Sequence, residues 1–274
     1  MLEKITYINH LNEVVEFGNG EIFANYNDLR NYDWSVISKN NKISGFKKGI
    51  VKKTLPIKIK AKTEEEGIKL KNRLFEVFEK DVLSKKHGKF IIGDYYLKCY
   101  VTGASKSEYL LSKSYLTIKV TIYTDYPYWV RETTTQFNYG KTVMGGTNLD
   151  FNRDFPSDYT SNMLGKTLDS VSFAECNFKM VIYGAVENPE ITIAGHKYAV
   201  NTSIAANEYL TIDSINKTIV KTLADGTTAN CFNQRNRESY IFEKIPAGQS
   251  MVSSSSDFKF DVTLLDERSE PKWI

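Results

Sequence analysis

Cysteine and histidine are scarce in this chain. The three cysteines, Cys99, Cys176 and Cys231, lie far apart, and no pair has the short spacing of a zinc knuckle or a redox motif. They are expected to be small buried thiols. The three histidines, His10, His87 and His196, include none in an H-E-x-x-H setting, so no metal ligand and no His-dependent catalyst is assigned. Long apolar runs are also missing: nothing approaches the ~20 residues a membrane helix needs, so no membrane insertion is expected. Met1-Leu2-Glu3-Lys4-Ile5-Thr6 lacks the apolar core of a signal peptide, which points to a protein made in the cytoplasm. Nucleotide signatures are absent as well. Gly18-Asn19-Gly20 is a tight turn outside any G-x-G-x-x-G, and Gly145-Gly146-Thr147-Asn148 lacks the lysine of a phosphate loop. There is no G-x-S-x-G elbow. Asp154 and Asp158 fall in a loop where exposure is expected, and paired carboxylates do acid–base work only when burial separates their pKa values. No catalytic or cofactor-binding residue is assigned, and the chain is not expected to be an enzyme.

What is present is a 274-residue chain that is 41% apolar and 25% charged, enough to bury a core without disulfides. Its net charge of +3 is unevenly spread: residues 1–135 carry +7 and residues 136–274 carry −4. The asymmetry suggests two units, 1–132 and 133–274. In the first, Leu55, Ile57 and Ile59 alternate with Lys58 and Lys60 as a half-buried strand, and Pro56 places that strand at an edge or marks its start. Thr63-Glu64-Glu65-Glu66 opens the one convincing helix, 64–82, with Thr63 as N-cap. Its apolar face is read as Ile68, Leu74, Phe75, Phe78 and Val82, and Gly88 as its stop. Gly93-Asp94 is a hairpin turn between two strands. Tyr115–Tyr123 turns Leu116, Ile118, Val120 and Ile122 to one face. Polar Thr133–Gln136 and breakers such as Gly140 and Phe155-Pro156-Ser157-Asp158 mark the boundary and a loop-rich stretch.

The second unit reads as all-β. Strands are expected at 177–183, 191–194, 197–200, 208–213, 218–222, 239–243 and 259–265, with turns at Gly195-His196 and Asp225-Gly226 and a loop at Ser253–Ser256. Short strands at this spacing imply a sandwich. The densest basic cluster is Lys47-Lys48-Gly49-Ile50-Val51-Lys52-Lys53. The 16 acidic residues of the same half argue against a nucleic-acid stripe, so Lys47, Lys48, Lys52 and Lys53 are read as a solvated or interfacial face. The 17 tyrosines and 15 phenylalanines suit strand cores and interfaces alike.

Several segments in this order resemble the distal tail (Dit) protein family of long-tailed phages, prophage members included. In the first half they are Ile43-Ser44-Gly45-Phe46, Leu55-Pro56-Ile57, the helix Glu64–Val82, Gly88–Ile92 and Val120–Trp129. In the second they are Asn188–Gly195, Glu208–Asp213, Phe242–Gly248 and Glu270–Ile274. The resemblance implies a mainly β fold: an N-terminal β domain with one helix, ring-forming and tail-tube-like, then a galectin-like β-sandwich. It implies a homohexameric hub ring at the distal tip of a non-contractile virion tail, between the tail tube protein and a tail-associated tip protein. Receptor-binding proteins would sit on the outward C-terminal domains, and DNA would be a transient passenger through a bore free of lysine rings. No catalytic residues belong to the family pattern. A carbohydrate-binding module for host cell-wall recognition is the alternative, with Tyr183, Tyr198 and Tyr209 as exposed sugar platforms.

Overall fold

A computed structural model describes residues 4–18, 20–24, 27–107, 113–138 and 166–273. Asn19, the Gly140 and Gly145–Asn148 breakers, and the Asp154/Asp158 pair lie outside the described residues. The fold is mainly β and forms two compact units, Met1–Arg131 with Glu267–Ile274, and Glu132–Asp266.

The first unit contains β1 (Ile5–Ile8), β2 (Val14–Phe17), β3 (Ile22–Ala24), β4 (Ser35–Lys39), β5 (Lys42–Lys47), β6 (Val51–Lys60), α1 (Glu64–Ser84), β7 (Gly88–Ile92), β8 (Tyr95–Ser107), β9 (Tyr115–Thr124) and the start of β10 (Trp129–Asn138). All described pairings are antiparallel. The long β8 shifts register between Val101 and Gly103. Over Tyr95–Cys99 it pairs with β7, which pairs with β1 and then β2; from Tyr100, just before the bulge, it pairs with β9, which leads on to β6 and β3. A bulge bends a strand and increases its twist, which lets one strand serve two parts of a curved sheet. Leu55, Ile57, Ile59, Leu116, Ile118, Val120 and Ile122 all face the core, as their alternation requires. β6 is not an edge strand over Ile57–Ile59, because β3 covers one side and β9 the other. Pro56 lies one residue before Ile57, the last β6 position with a described β3 partner, and it pairs with Lys119 of β9 on the other side.

The helix begins as its sequence dictates: Thr63 Oγ1 accepts the Glu66 N–H at 3.2 Å. Its end differs. α1 continues to Ser84, and Lys85 adopts the left-handed conformation (φ 51°), its N–H directed at the Asp81 and Val82 carbonyls. Gly88 is instead the first residue of β7, where a Cβ would overlap Tyr7 Oη and Asp81 Oδ2. The buried stripe is Gly67, Leu74, Val77, Phe78 and Asp81, while Ile68 and Val82 face solvent. The cause is Asp81, a fully buried carboxylate. Its Oδ2 accepts the Tyr7 hydroxyl at 2.5 Å, and its Oδ1 faces the backbone N–H of His10 at 2.9 Å and His10 Nδ1 at 2.5 Å. Satisfying that group takes precedence over burying two more aliphatic side chains.

The second unit takes up the rest of β10 and contains β11 (Lys166–Ser170), β12 (Asn177–Tyr183), β13 (Val186–Glu187), β14 (Glu190–Ile193), β15 (His196–Ala199), β16 (Ser203–Ile204), β17 (Tyr209–Asp213), β18 (Thr218–Thr222), β19 (Thr228–Asn230), β20 (Gly248–Ser254) and most of β21 (Lys259–Arg268). One sheet runs β19-β18-β17-β12-β21 with β10 beside it, and a second runs β11-β20-β14-β15. Phe178, Met180, Ile182, Leu210 and Phe260 from the first meet Leu168, Ile191, Ile193, Tyr198 and Val252 from the second in one core. Two antiparallel sheets sharing their inner faces make a sandwich.

Some strand expectations do not hold. Ser239–Glu243 is a turn closed by Glu243 N–H to the Tyr240 carbonyl, and it buries Ile241 and Phe242 without ladder bonds. Ser253 and Ser254 end β20 rather than open a loop. Thr133–Gln136 lies inside β10, so the chain passes between units in mid-strand and not through a linker. The turn before β15 is Ala194-Gly195, both at positive φ, and His196 already belongs to the strand. All three cysteines are buried free thiols.

Candidate interaction surfaces

An exposed apolar feature of the first unit is the β4–β5 hairpin. Asn40 and Asn41, at φ 51° and 58°, form its two-residue turn, a conformation asparagine tolerates. Val36 pairs with Phe46 and Ser38 with Ile43, the register shifting between Ile37 and Ser38. Alternation therefore collects Val36, Phe46 and Ile43 on one face and Ile37, Lys39, Lys42 and Lys47 on the other. Val36, Phe46 and Ile43 are 55%, 59% and 64% exposed. A two-stranded ribbon buried on neither face is marginal in water. Each such side chain gains roughly 1.5–3 kcal/mol on full burial.

The lysines assigned from sequence divide in two. Lys47 and Lys52 are exposed. Lys48 and Lys53 are held within the unit and are not free interface groups. Lys48 Nζ donates to the Pro127 carbonyl at 3.2 Å and Ser269 Oγ at 2.8 Å, and it lies 4.4 Å from the Tyr128 ring centre and 4.6 Å from that of Trp34. Burial, with neighbouring Lys53, pushes its ammonium down to about 8. Lys53 donates to the carbonyls of Asp28 and Asn31, and burial lowers its pKa too. Arg30 stacks on Trp273 at 3.8 Å and donates to the Pro271 carbonyl at 2.7 Å. With the Lys48–Ser269 and Tyr126–Glu267 bonds, this fastens residues 267–273 to the first unit.

A groove of about 470 Å³ lies between α1 and β8, lined by Phe75, Phe78, Glu79, Val82, Gly103 and Lys106 among others. Exposed Leu83 follows Val82 at the end of the same helix. The hairpin and the groove are two different apolar surfaces on one unit.

In the second unit, Tyr183 and Tyr209 face each other across β12 and β17, each 38% exposed, with ring centres 6.4 Å apart. Tyr198 is not an exposed platform. It is 1% exposed, its ring meets Phe178 edge-on, and its hydroxyl donates to the Glu243 carbonyl at 2.9 Å. Alternation explains the inversion: Lys197 faces out from the short β15, so Tyr198 faces the core. Sequence reasoning missed Asp261, whose Oδ2 accepts the Tyr183 hydroxyl at 2.9 Å. It also missed the hairpin, although Asn40-Asn41 between two strand-like runs was its signal. Among the described residues no group of three His, Cys, Asp or Glu is placed to hold a metal, and no helix is long and apolar enough to cross a membrane.

No family model and no curated protein matches the sequence. The fold does match solved structures. A chain of the phage P2 baseplate in its activated conformation with Ca superposes with a TM-score of 0.65 at 14% identity, covering 99% of this chain and 100% of that one. The phage p2 baseplate with Sr gives the same values. The SPP1 Dit (gp 19.1) protein, described as a paradigm of hub adsorption apparatus in phages infecting Gram-positive hosts, superposes at a TM-score of 0.60 and 7% identity, covering 96% of this chain and 99% of that one. The likeness spans the whole chain, and the fold is that of phage baseplate and distal tail hub proteins, as the sequence resemblance implied.

Proposed function

We propose that this chain is a structural protein of the distal end of a non-contractile phage tail, where six copies close into a hub ring between the tail tube and the tip apparatus. The single observation that carries this reading is the β4–β5 hairpin, a ribbon with an apolar face and no cover among the described residues. A closed ring needs a heterologous contact, in which one surface of a protomer meets a different surface of the next. The Val36–Ile43–Phe46 face and the α1–β8 groove are two such surfaces, and in this reading the hairpin of one copy packs into the groove of its neighbour. The hub fold of the P2 and SPP1 proteins supports the assignment. The role is architectural rather than catalytic, and the place of action is the virion tail tip.

Light scattering during size exclusion tests the ring. The expected mass is about 188 kDa, six chains of 31.3 kDa. The double variant I43E/F46E should run as a 31 kDa-class monomer. A native chain that stays monomeric at every concentration contradicts the ring, and an I43E/F46E hexamer contradicts the role of the hairpin.

A further inference from the structure

We propose that Tyr183, Tyr209 and Asp261 form a saccharide-binding site on the outer face of the second unit's β19–β21 sheet. The inference uses only that unit and is independent of the ring.

The site is built on strands, which fix side chains more tightly than loops do. Tyr183 and Tyr209 occupy directly opposed positions on β12 and β17. Their rings are inclined at 49° and both remain open to solvent. Two such rings offer an apolar, splayed platform for the C–H faces of a pyranose, with hydroxyl groups at the rim. The next requirement is polar groups that converge on sugar hydroxyls. Asp261 lies beside Val181 on the neighbouring strand β21 and supplies a carboxylate. Its Oδ2 is bonded to the Tyr183 hydroxyl, which orients that ring before any ligand arrives. Its Oδ1 makes no hydrogen bond among the described residues and is available to a donor hydroxyl. Thr222, opposite Tyr209, and Thr211, opposite Val181, extend the same face with hydroxyls that both donate and accept.

The composition of this face decides the ligand class. The core of a protein-binding patch is depleted of charge. This one sets the tyrosine pair among threonines and charged side chains of both signs, Lys179, Asp213, Lys259 and Asp261, a set of donors and acceptors that suits a hydroxyl-rich sugar. Tyr198 takes no part, because it lies in the core.

The test uses the full chain on a glycan array, followed by calorimetric titration with chitobiose, lactose and the array's strongest hit. Binding is expected for at least one such sugar, with Kd in the range of about 0.1–1 mM. Tyr209→Ala and Asp261→Asn should each weaken it by about tenfold or more. Tyr183→Phe keeps the ring and loses only the Asp261 bond, so it should weaken binding less than Tyr183→Ala. All three positions are on the outer face, and an unchanged melting temperature separates lost binding from lost folding. Silence on the array and in titration up to about 10 mM sugar overturns the proposal. So does binding that survives Tyr183→Ala and Tyr209→Ala together.

Discussion

The two units solve different problems with similar strands. The first carries the positive excess, buries Asp81, Lys48 and Lys53 in specific polar contacts, and leaves an aliphatic and aromatic hairpin in solvent. The second packs a cluster of aromatics between two sheets, leaves Phe173 and Tyr240 exposed, and shows solvent a sheet face of tyrosine, threonine and charged side chains. An apolar ribbon gains from a permanent protein contact, where buried area is the driving term. A hydroxyl-rich sheet face gains little from such a contact and suits a small, exchangeable ligand. The contrast is the basis for the two proposals, assembly through the first unit and recognition through the second.

The largest expected effects break the units one at a time. Asp81→Ala strands the Tyr7 hydroxyl and the His10 N–H in the core, and should destabilise the first unit by about 3–5 kcal/mol. Phe260→Ala removes a ring stacked on Phe137 at 4.8 Å, and should destabilise the second by about 3–5 kcal/mol. Calorimetry should show Asp81→Ala lowering one transition and Phe260→Ala the other. One transition moved equally by both variants would mean that the units do not unfold separately.

A smaller effect follows from Lys48. Its pKa is lowered in the fold, so the native state sheds this proton at a pH where the unfolded chain still holds it. The stability of the first unit should therefore rise as pH increases from about 8 towards 10. Cys99 opposes this rise from about 9 and Tyr7 and Tyr126 from about 10, because burial raises all three and the unfolded chain ionises there first. Denaturant midpoints between pH 7 and 11 check both signs, and Lys48→Met should flatten the rise. The smallest effect is Tyr198→Phe, which loses one hydrogen bond to Glu243 and should cost about 1 kcal/mol. It should leave any sugar binding unchanged, whereas Tyr209→Ala should do the reverse.

Much of the fold was legible because it follows local rules. The alternation in 55–59 and 116–122 gave two core strands, Thr63 gave the start of α1, and Gly93-Asp94 gave the β7–β8 turn. What was not legible depended on distant partners. The rotation of α1 is set by Asp81 meeting Tyr7, 74 residues away in sequence. Gly88 looked like a helix stop because its true reason, the space taken by Tyr7 and Asp81, lies in another element. Lys48 and Lys53 looked like a solvated cluster because their acceptors are backbone carbonyls and Ser269, which no charge pattern shows. Of the candidate sugar residues, Tyr183 and Tyr209 were visible as outward positions on strands. Asp261 was visible only once β21 lay beside β12.

Disulfide trapping between hairpin and groove tests the central claim most directly. Ile43→Cys and Val82→Cys would be combined in one chain, whose native cysteines are all buried and slow to react. Head-to-tail closure predicts a ladder of covalent species up to six chains under mild oxidation, with neither single variant passing beyond a dimer. Oxidation that leaves the double variant no further linked than the single ones would contradict the account.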